Sequence, residues 1–239
     1  MQLSGRCDRI FVEKILEEME KKMKYRLAVF DMDGTILNTL DDLADSLNVI
    51  LDKNGYPERT IDEVRSFVGN GIHKLIERAL PVGSTEEEID RVFGEYVPYY
   101  QAHAAIKTRP YDGITDVIKT LKENGVLCAV VSNKADGAVQ DLCEQYFPGL
   151  FDVAAGDRPD INKKPAPDMC NTVLKKLGMN REDAVYIGDS DVDIETAKNS
   201  GMDEIIVSWG FRTREFQLSH GAKRIIDRPE QILDIILER

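Results

Sequence analysis

Residues Tyr25–Thr39 read YRLAVFDMDGTILNT. An apolar, strand-like run passes straight into two aspartates one residue apart, and then into glycine. In an extended chain residues i and i+2 point to the same side. The spacing therefore predicts that Asp31 and Asp33 lean into one space at the end of a buried strand, with Gly34 freeing the backbone to turn. Two full negative charges ~4 Å apart repel by about 4 kcal/mol at an effective dielectric of 20. Either a positive partner sits there or one carboxyl keeps its proton.

Outward from this stretch, short apolar runs alternate with helical ones. Tyr25–Phe30, Gly125–Ser132, Phe151–Ala155, Asp183–Gly188, Asp203–Trp209 and Lys223–Asp227 read as strands. Gly113–Glu123, Ala135–Gln145, Pro167–Leu177, Val192–Asn199 and Pro229–Glu238 read as helices. Runs apolar on both faces, each followed by a helix, predict an α/β fold: a doubly wound parallel sheet sandwiched by helices, with right-handed crossovers.

One interval breaks the rhythm. Leu43, Leu47, Ile50 and Leu51 make a helical stripe; Ile72, Leu75, Ile76 and Leu80 make another; Val92, Phe93 and Val97 make a third. This predicts a helical bundle over 41–106, inserted after the first strand of a core made of 25–40 and 107–239. Asn54–Thr60 and Leu80–Thr85 supply its turns, and Lys107–Gly113 the return linker. An insertion beside the carboxylate pair is well sited to be a lid. Residues 1–24 read as an N-terminal extension. There the i, i+4 row of Phe11, Ile15, Met19 and Met23 fits a short amphipathic helix, and Met23 offers an alternative start.

Ligands of open parallel sheets bind outside the carboxyl ends of the strands. The first strand delivers Asp31 and Asp33 there. VVSNK delivers Ser132, Asn133 and Lys134; GDSDVD delivers Asp189, Ser190, Asp191 and Asp193; the NKKPAPD loop carries Lys163, Lys164 and Asp168. Phosphoryl transfer through a carboxylate needs this set. An aspartate attacks phosphorus and splits one hard step into two, while the transferring group spreads negative charge that must be neutralised. Mg²⁺, a hard cation that takes oxygen ligands, fits beside such acids. On this reading Asp31 is the nucleophile and a metal ligand. Asp33 is the general acid and then the base, and offers its main-chain carbonyl to the metal. Asp189 is a further metal ligand, Asp193 orients Lys164, and Ser132, Asn133 and Lys164 bind phosphate.

The bulk numbers narrow the partners. Net charge is −12 over 239 residues, which argues against nucleic acid or an anionic membrane and leaves a small phosphorylated metabolite open, because a local basic pocket can override the global field. Four scattered cysteines without a C-x-x-C pair, the absence of a long apolar run and the lack of a signal-like N-terminus point to a reducing, cytoplasmic setting. Cys128 reads as a buried thiol.

The four segments, in this order, resemble the haloacid dehalogenase superfamily, specifically its phosphatases. DMDGT is similar to the first motif, VVSN to the second, Lys164 in KKPAPD to the third and GDSDVD to the fourth. The resemblance runs from Tyr25 to the C-terminus and implies a Mg²⁺-dependent phosphatase with a Rossmann-like core and a mobile helical cap. Val64–Pro81 and Ser208–Leu233 resemble the phosphoglycolate phosphatase-like branch, which implies that Gly69, Asn70 and Gly71 form a cap loop touching the substrate; a side chain at Gly71 is expected to crowd it. Asp33 separates the chain from the dehalogenases, which lack a second aspartate there, and Asp-Met-Asp-Gly-Thr separates it from the P-type ATPases, which carry Asp-Lys-Thr-Gly. Residues 1–24 have no counterpart in the family pattern.

Other readings stand beside these. The same core serves phosphosugar mutases and pyrophosphatases, and a non-catalytic phosphate-ligand sensor is a third possibility against which the intact acids argue. Asp191 stays open between metal ligand and solvated acid, and the oligomeric state between monomer and homodimer. Asp41 and Asp42 read as a helix start favoured by the macrodipole. His73, His103 and His220 do not cluster, and Trp209 reads as packing.

Overall fold

The structure is a computed structural model that describes residues 23–238. Of the amphipathic row expected in the extension only Met23 falls within that range, outside any helix and packed against the sheet's apolar cluster; the rest lies outside the described residues. Six strands form one parallel sheet in the order β5-β4-β1-β6-β7-β8. They are β1 (Leu27–Phe30), β4 (Leu127–Ala135), β5 (Val153–Asp157), β6 (Ala184–Gly188), β7 (Asp203–Val207) and β8 (Ile225–Ile226). The chain winds from β1 through β4 to β5 on one side and then from β6 through β7 to β8 on the other. The crevice between the ends of β1 and β6 is therefore the point where the strand order reverses.

Alternation along β1 explains why the run is apolar throughout. Ala28 and Phe30 face one helix layer with Cys128, Val130, Val185 and Ile187, against α5 (Ile114–Glu123), α6 (Asp136–Tyr146) and α10 (Gln231–Ile236). Leu27 and Val29 face the other layer with Ala129, Val131 and Tyr186, against α7 (Asp168–Leu177) and α8 (Asp191–Ser200). A short helix, α9 (Arg214–Ser219), follows β7. Several boundaries differ from expectation by one to three residues. β4 runs on to Ala135, and β7 stops at Val207 before Trp209, whose indole N–H donates to the Thr35 carbonyl at 3.1 Å.

Between β1 and β4 lie α1 (Leu40–Lys53), α2 (Ile61–Phe67), α3 (Ile72–Ala79) and α4 (Glu86–His103). They share one apolar cluster, which Phe211 of the sheet side joins. The α1 stripe is the expected one. On α4 the buried row is Ile89, Val92, Tyr96 and Tyr100 rather than Val92, Phe93 and Val97; tyrosines occupy core positions that an aliphatic stripe does not reveal. Helix α2, unanticipated, buries only Val64. Its start, like that of α4, is a reciprocal cap: Thr60 with Glu63, and Thr85 with Glu88, each satisfying otherwise unpaired N–H groups.

The bundle is joined to the sheet at a two-stranded antiparallel ladder, β2 (Leu37–Asn38) against β3 (Arg109–Pro110), pairing Leu37 with Pro110 and Asn38 with Arg109. Asp42, read from sequence only as a helix-start charge, is buried and accepts main-chain N–H bonds from Ile106, Lys107 and Thr108 at 2.8–3.1 Å. It ties the outgoing helix to the returning linker. Cys128, Cys143 and Cys170 are free and buried, and burial pushes the Cys128 thiol up to about 12. Among the described residues no helix is long and apolar enough to cross a membrane.

Candidate active site

β1 has a neighbour on each side, so the residues after it emerge at the middle of the carboxyl edge. Asp31 keeps to the ladder, its N–H donating to the Ile187 carbonyl at 2.8 Å. The chain then turns, and the Met32 carbonyl accepts from the N–H groups of Thr35, Ile36 and Leu37. Gly34 sits at φ +88°, and a Cβ there would lie 2.7 Å from the Asp189 carboxylate. The residue after the second aspartate must therefore be glycine for the two strand ends to meet.

A cavity is lined by Asp31, Asp33, Ser132, Asn133, Lys134, Lys164 and Asp189 from the sheet edge. Its opposite wall is largely apolar: Leu43, Val68, Gly69, Gly71, Ile72, Leu75 and Tyr100, with Phe211 and Arg212 at the side. The space open to the centre of a water molecule is about 60 Å³.

Lys164 is the positive partner of Asp31, the first aspartate of the pair. Its Nζ lies 2.7 Å from Asp31, 2.9 Å from Asp193 and 3.0 Å from the Tyr186 hydroxyl, all within the buried interior. Burial works against the ammonium, but Asp193 and Asp31 outweigh it and raise its pKa. Asp193 is in turn fully used. One carboxylate oxygen accepts from Lys164 and Tyr186, the other from the Ser190 hydroxyl and the main-chain N–H groups of Asp189 and Ser190. Burial alone would raise its pKa; the charge and hydrogen bonds of Lys164 and the bonds from Ser190 bring it below the ordinary value.

Asp31 and Asp189 remain under-compensated. Burial, and then the charge of Asp193, raise Asp31 to about 7 against the pull of Lys164. Burial followed by the charges of Asp193 and Asp31 drives Asp189 well above its ordinary value, although the Phe211 N–H donates to it at 2.6 Å. Carboxylate oxygens of Asp31, Asp189 and Asp193 lie within 4.8 Å of one another. Because the oxygens of Asp193 are taken, Asp31 and Asp189 are the pair with lone pairs free for a cation. Four carboxylates (Asp31, Asp33, Asp189, Asp193) face two ammonium groups (Lys134, Lys164), while the Arg212 guanidinium at the side is offset by Asp191, which leaves a deficit of two positive charges when all the acids are ionised. A divalent ion matches that deficit and the all-oxygen donor set.

Other expected residues are placed as follows. Ser132 lines the cavity and is buried. Asn133 also lines the cavity, and its side chain brackets the main chain of Lys164, accepting its N–H at 2.8 Å and donating to its carbonyl at 3.1 Å, with a longer bond to the Gly69 carbonyl. It positions the lysine loop, and its amide is spoken for. Gly69 and Gly71 line the cavity, but the Asn70 side chain turns away and accepts from Arg78 at 2.8 Å. Asp191 faces Arg212 at 3.6 Å rather than the acid cluster. His73, His103 and His220 stand outside the cavity, against Asp90, Tyr99 and Phe216.

Several residues at the site carried no assigned role in the sequence reading. Lys134 pairs with Asp33 at 3.0 Å and with the Tyr100 hydroxyl at 2.7 Å. Tyr186 anchors Lys164 from the middle of β6. Arg212 donates to the carbonyls of Arg65 and Val68 at 2.7 and 2.6 Å, holding the carboxyl end of α2 against the sheet edge. Reading the strand-end rule at β7 as well as at β1, β4 and β6 points to the Phe211–Arg212 segment; nothing in the spacing marks the tyrosines.

Comparison with known proteins agrees with this geometry. The family pattern of haloacid dehalogenase-like hydrolases matches residues 28–207. A phosphoglycolate phosphatase of Psychrobacter arcticus is 34% identical over 79% of this chain and 86% of its own length. An N-acetylmuramic acid 6-phosphate phosphatase of Pseudomonas aeruginosa is 27% identical over 90% of this chain and 96% of its own. A crystal structure from Lactobacillus delbrueckii subsp. bulgaricus, provisionally named a phosphoglycolate phosphatase, superimposes with a TM-score of 0.86 at 43% identity, covering 90% of this chain and 99% of that one. The chain belongs to the haloacid dehalogenase-like hydrolases and falls among their phosphatases, beside those that carry the phosphoglycolate phosphatase name.

Proposed function

We propose that the chain hydrolyses a small phosphomonoester with the help of Mg²⁺, through transient phosphorylation of Asp31, with 2-phosphoglycolate the first substrate to try. The observation that carries this reading is the meeting of Asp31, Asp33, Lys164 and Asp189 around one cavity, each from a different strand end or loop apart from the adjoining pair. Asp31, Asp189 and the Asp33 main-chain carbonyl would hold the cation, which when bound supplies the positive charge that the acids and the phosphoryl oxygens both need.

The chain's own residues account for the rest. Asp31 attacks phosphorus as the ester P–O bond breaks, and Asp33 gives its proton to the departing oxygen. A water then attacks the phosphorylated Asp31, passing its proton to Asp33 as the Asp31–phosphorus bond breaks and phosphate leaves. Lys164 neutralises phosphoryl charge while Asp193, Tyr186 and Asn133 hold it in place. The Ser132 hydroxyl and the main-chain N–H of Asn133 take phosphoryl oxygens. The inserted helices act as a lid that excludes water and meets the non-reacting part of the substrate. So tight a cavity favours a compact ester.

The test is phosphate release from a panel of phosphomonoesters with Mg²⁺, 2-phosphoglycolate included; release from none of them overturns the reading. Borohydride reduction of enzyme quenched during turnover should convert residue 31 to homoserine, the product expected of an aspartyl phosphate, and unmodified Asp31 would exclude the covalent step.

A further inference from the structure

Each of the two reactive carboxylates has its own buried lysine, and each lysine its own tyrosine. Asp31 has Lys164, whose Nζ is 3.0 Å from the Tyr186 hydroxyl; Asp33 has Lys134, whose Nζ is 2.7 Å from the Tyr100 hydroxyl. The two sets differ in where the tyrosine comes from. Tyr186 is on β6, in the same sheet as the lysine loop it serves. Tyr100 is on α4, in the inserted bundle, while Lys134 is on β4 and Asp33 follows β1. Tyr100 is fixed within the bundle: its ring stacks on Tyr96 at 5.6 Å and 10°, and the Tyr96 hydroxyl donates to the Leu43 carbonyl of α1. Lys134 also lies 4.8 Å from the centre of the Tyr100 ring. The ammonium is thus held on one side by Asp33, at 3.0 and 3.3 Å to its two oxygens, and on the other by the lid.

We propose that Lys134 and Tyr100 are positioning residues that set the Asp33 carboxyl for proton transfer only while the inserted helices rest on the sheet edge. The inference rests on the phosphatase reading above, in which Asp33 protonates the departing oxygen. In that step the Asp31–phosphorus bond forms and the ester P–O bond breaks. Its electron pair stays on the departing oxygen, which takes the Asp33 proton and leaves as an alcohol. Asp33 becomes a carboxylate beside the Lys134 ammonium, at the place where it next receives the proton of the attacking water. Withdrawing Tyr100 frees Nζ from one of its two anchors and lets Asp33 drift, so an open lid leaves the nucleophile armed and the acid misplaced. Geometry governs such a transfer steeply.

The test compares substrates that need the proton with substrates that do not. kcat/KM, which reports on steps through the first P–O cleavage, is measured for the best alkyl phosphomonoester of the panel. It is measured also for acetyl phosphate and 4-nitrophenyl phosphate, whose leaving groups depart without protonation. Tyr100→Phe keeps the ring and its stack and removes only the hydroxyl. It is expected to lower kcat/KM about tenfold more on the alkyl ester than on the activated ones, within the range that misplaced acid catalysis costs. Lys134→Gln is expected to shift the ratio further in the same direction. Should that variant fail to fold, Tyr100→Phe decides alone. Equal losses on all three substrates, or none on any, overturn the positioning role. Wild-type protein inert to the whole panel overturns the phosphatase reading and this inference together, so the two failures are distinct.

Discussion

The Lys164 ammonium stands 2.7 Å from the Asp31 carboxylate and 2.9 Å from that of Asp193, with all three groups shielded from solvent. This lysine answers the charge problem posed by the sequence at Asp31. Lys164→Met therefore strands two buried acids, a change that costs roughly 3–5 kcal/mol where one partner of a buried ion pair is removed. The variant should melt about 10 °C lower, and turnover should fall at least ~100-fold. Calorimetry and phosphate-release kinetics check the two effects separately.

The pH dependence of the cation-free protein follows from Asp31. Its carboxyl ordinarily titrates at 3.8 and is raised to about 7 in the fold. Between those values the folded state keeps a proton that the unfolded chain releases, so stability is lost as pH rises through that window. Asp189 shifts in the same direction. Urea midpoints should be higher at about pH 5 than at about pH 8 without added metal, and saturating Mg²⁺ should flatten the difference and release protons on binding.

Gly71 has φ +86° and ψ 166°, a region essentially reserved for glycine. A Cβ alone would meet only the Lys163 Nζ, at 3.7 Å, an ordinary contact, so crowding by the first carbon of a side chain is not the first obstacle. Backbone strain is. Gly71→Val should cost about 1–3 kcal/mol of stability as well as turnover, because the loop relaxes to a conformation that no longer lines the cavity. Urea denaturation and steady-state kinetics on the same sample check both.

Asp42 gathers the N–H groups of Ile106, Lys107 and Thr108. Asp42→Ala leaves these donors without their acceptor at a cost of about 1–3 kcal/mol. Amide hydrogen exchange should speed up at residues 106–108 and leave the amides of β1 and β6 unchanged.

How much of this could be read from the chain depended on how local the signal was. Asp31, Asp33, Ser132 and Asp189 were legible as lining residues because each stands at the end of an apolar run that reads as a strand, and strand ends of a parallel sheet converge; Lys164 lies in a polar loop and was legible only through the KKPAPD stretch. Asn133 and Asn70 were legible as positions but not as contacts: an amide side chain bonds whatever main chain passes it, which no spacing records. Tyr100 and Tyr186 were hidden for the opposite reason. Their rings fill core positions like any apolar residue, and only the far end of each reaches a lysine brought from elsewhere in the fold. Helix α2 was missed because its single buried residue makes no stripe, although Thr60 and Glu63 mark its start. The two-residue ladder of β2 and β3 is too short for any periodicity.

That ladder has a consequence for how such enzymes diversify. The chain leaves for the helical bundle and returns from it through one doorway, where Leu37 pairs with Pro110 and Asn38 with Arg109. Exit and return lie side by side there, so a different bundle joined at those two points would have to remake only the contacts that cross to the sheet edge, such as those of Arg212 with Arg65 and Val68. A graft made there would change the wall that faces the acids while leaving the sheet edge's own residues as they are. Such a graft must bring its own counterpart of Tyr100, since the incoming helices supply that hydroxyl and the sheet supplies none.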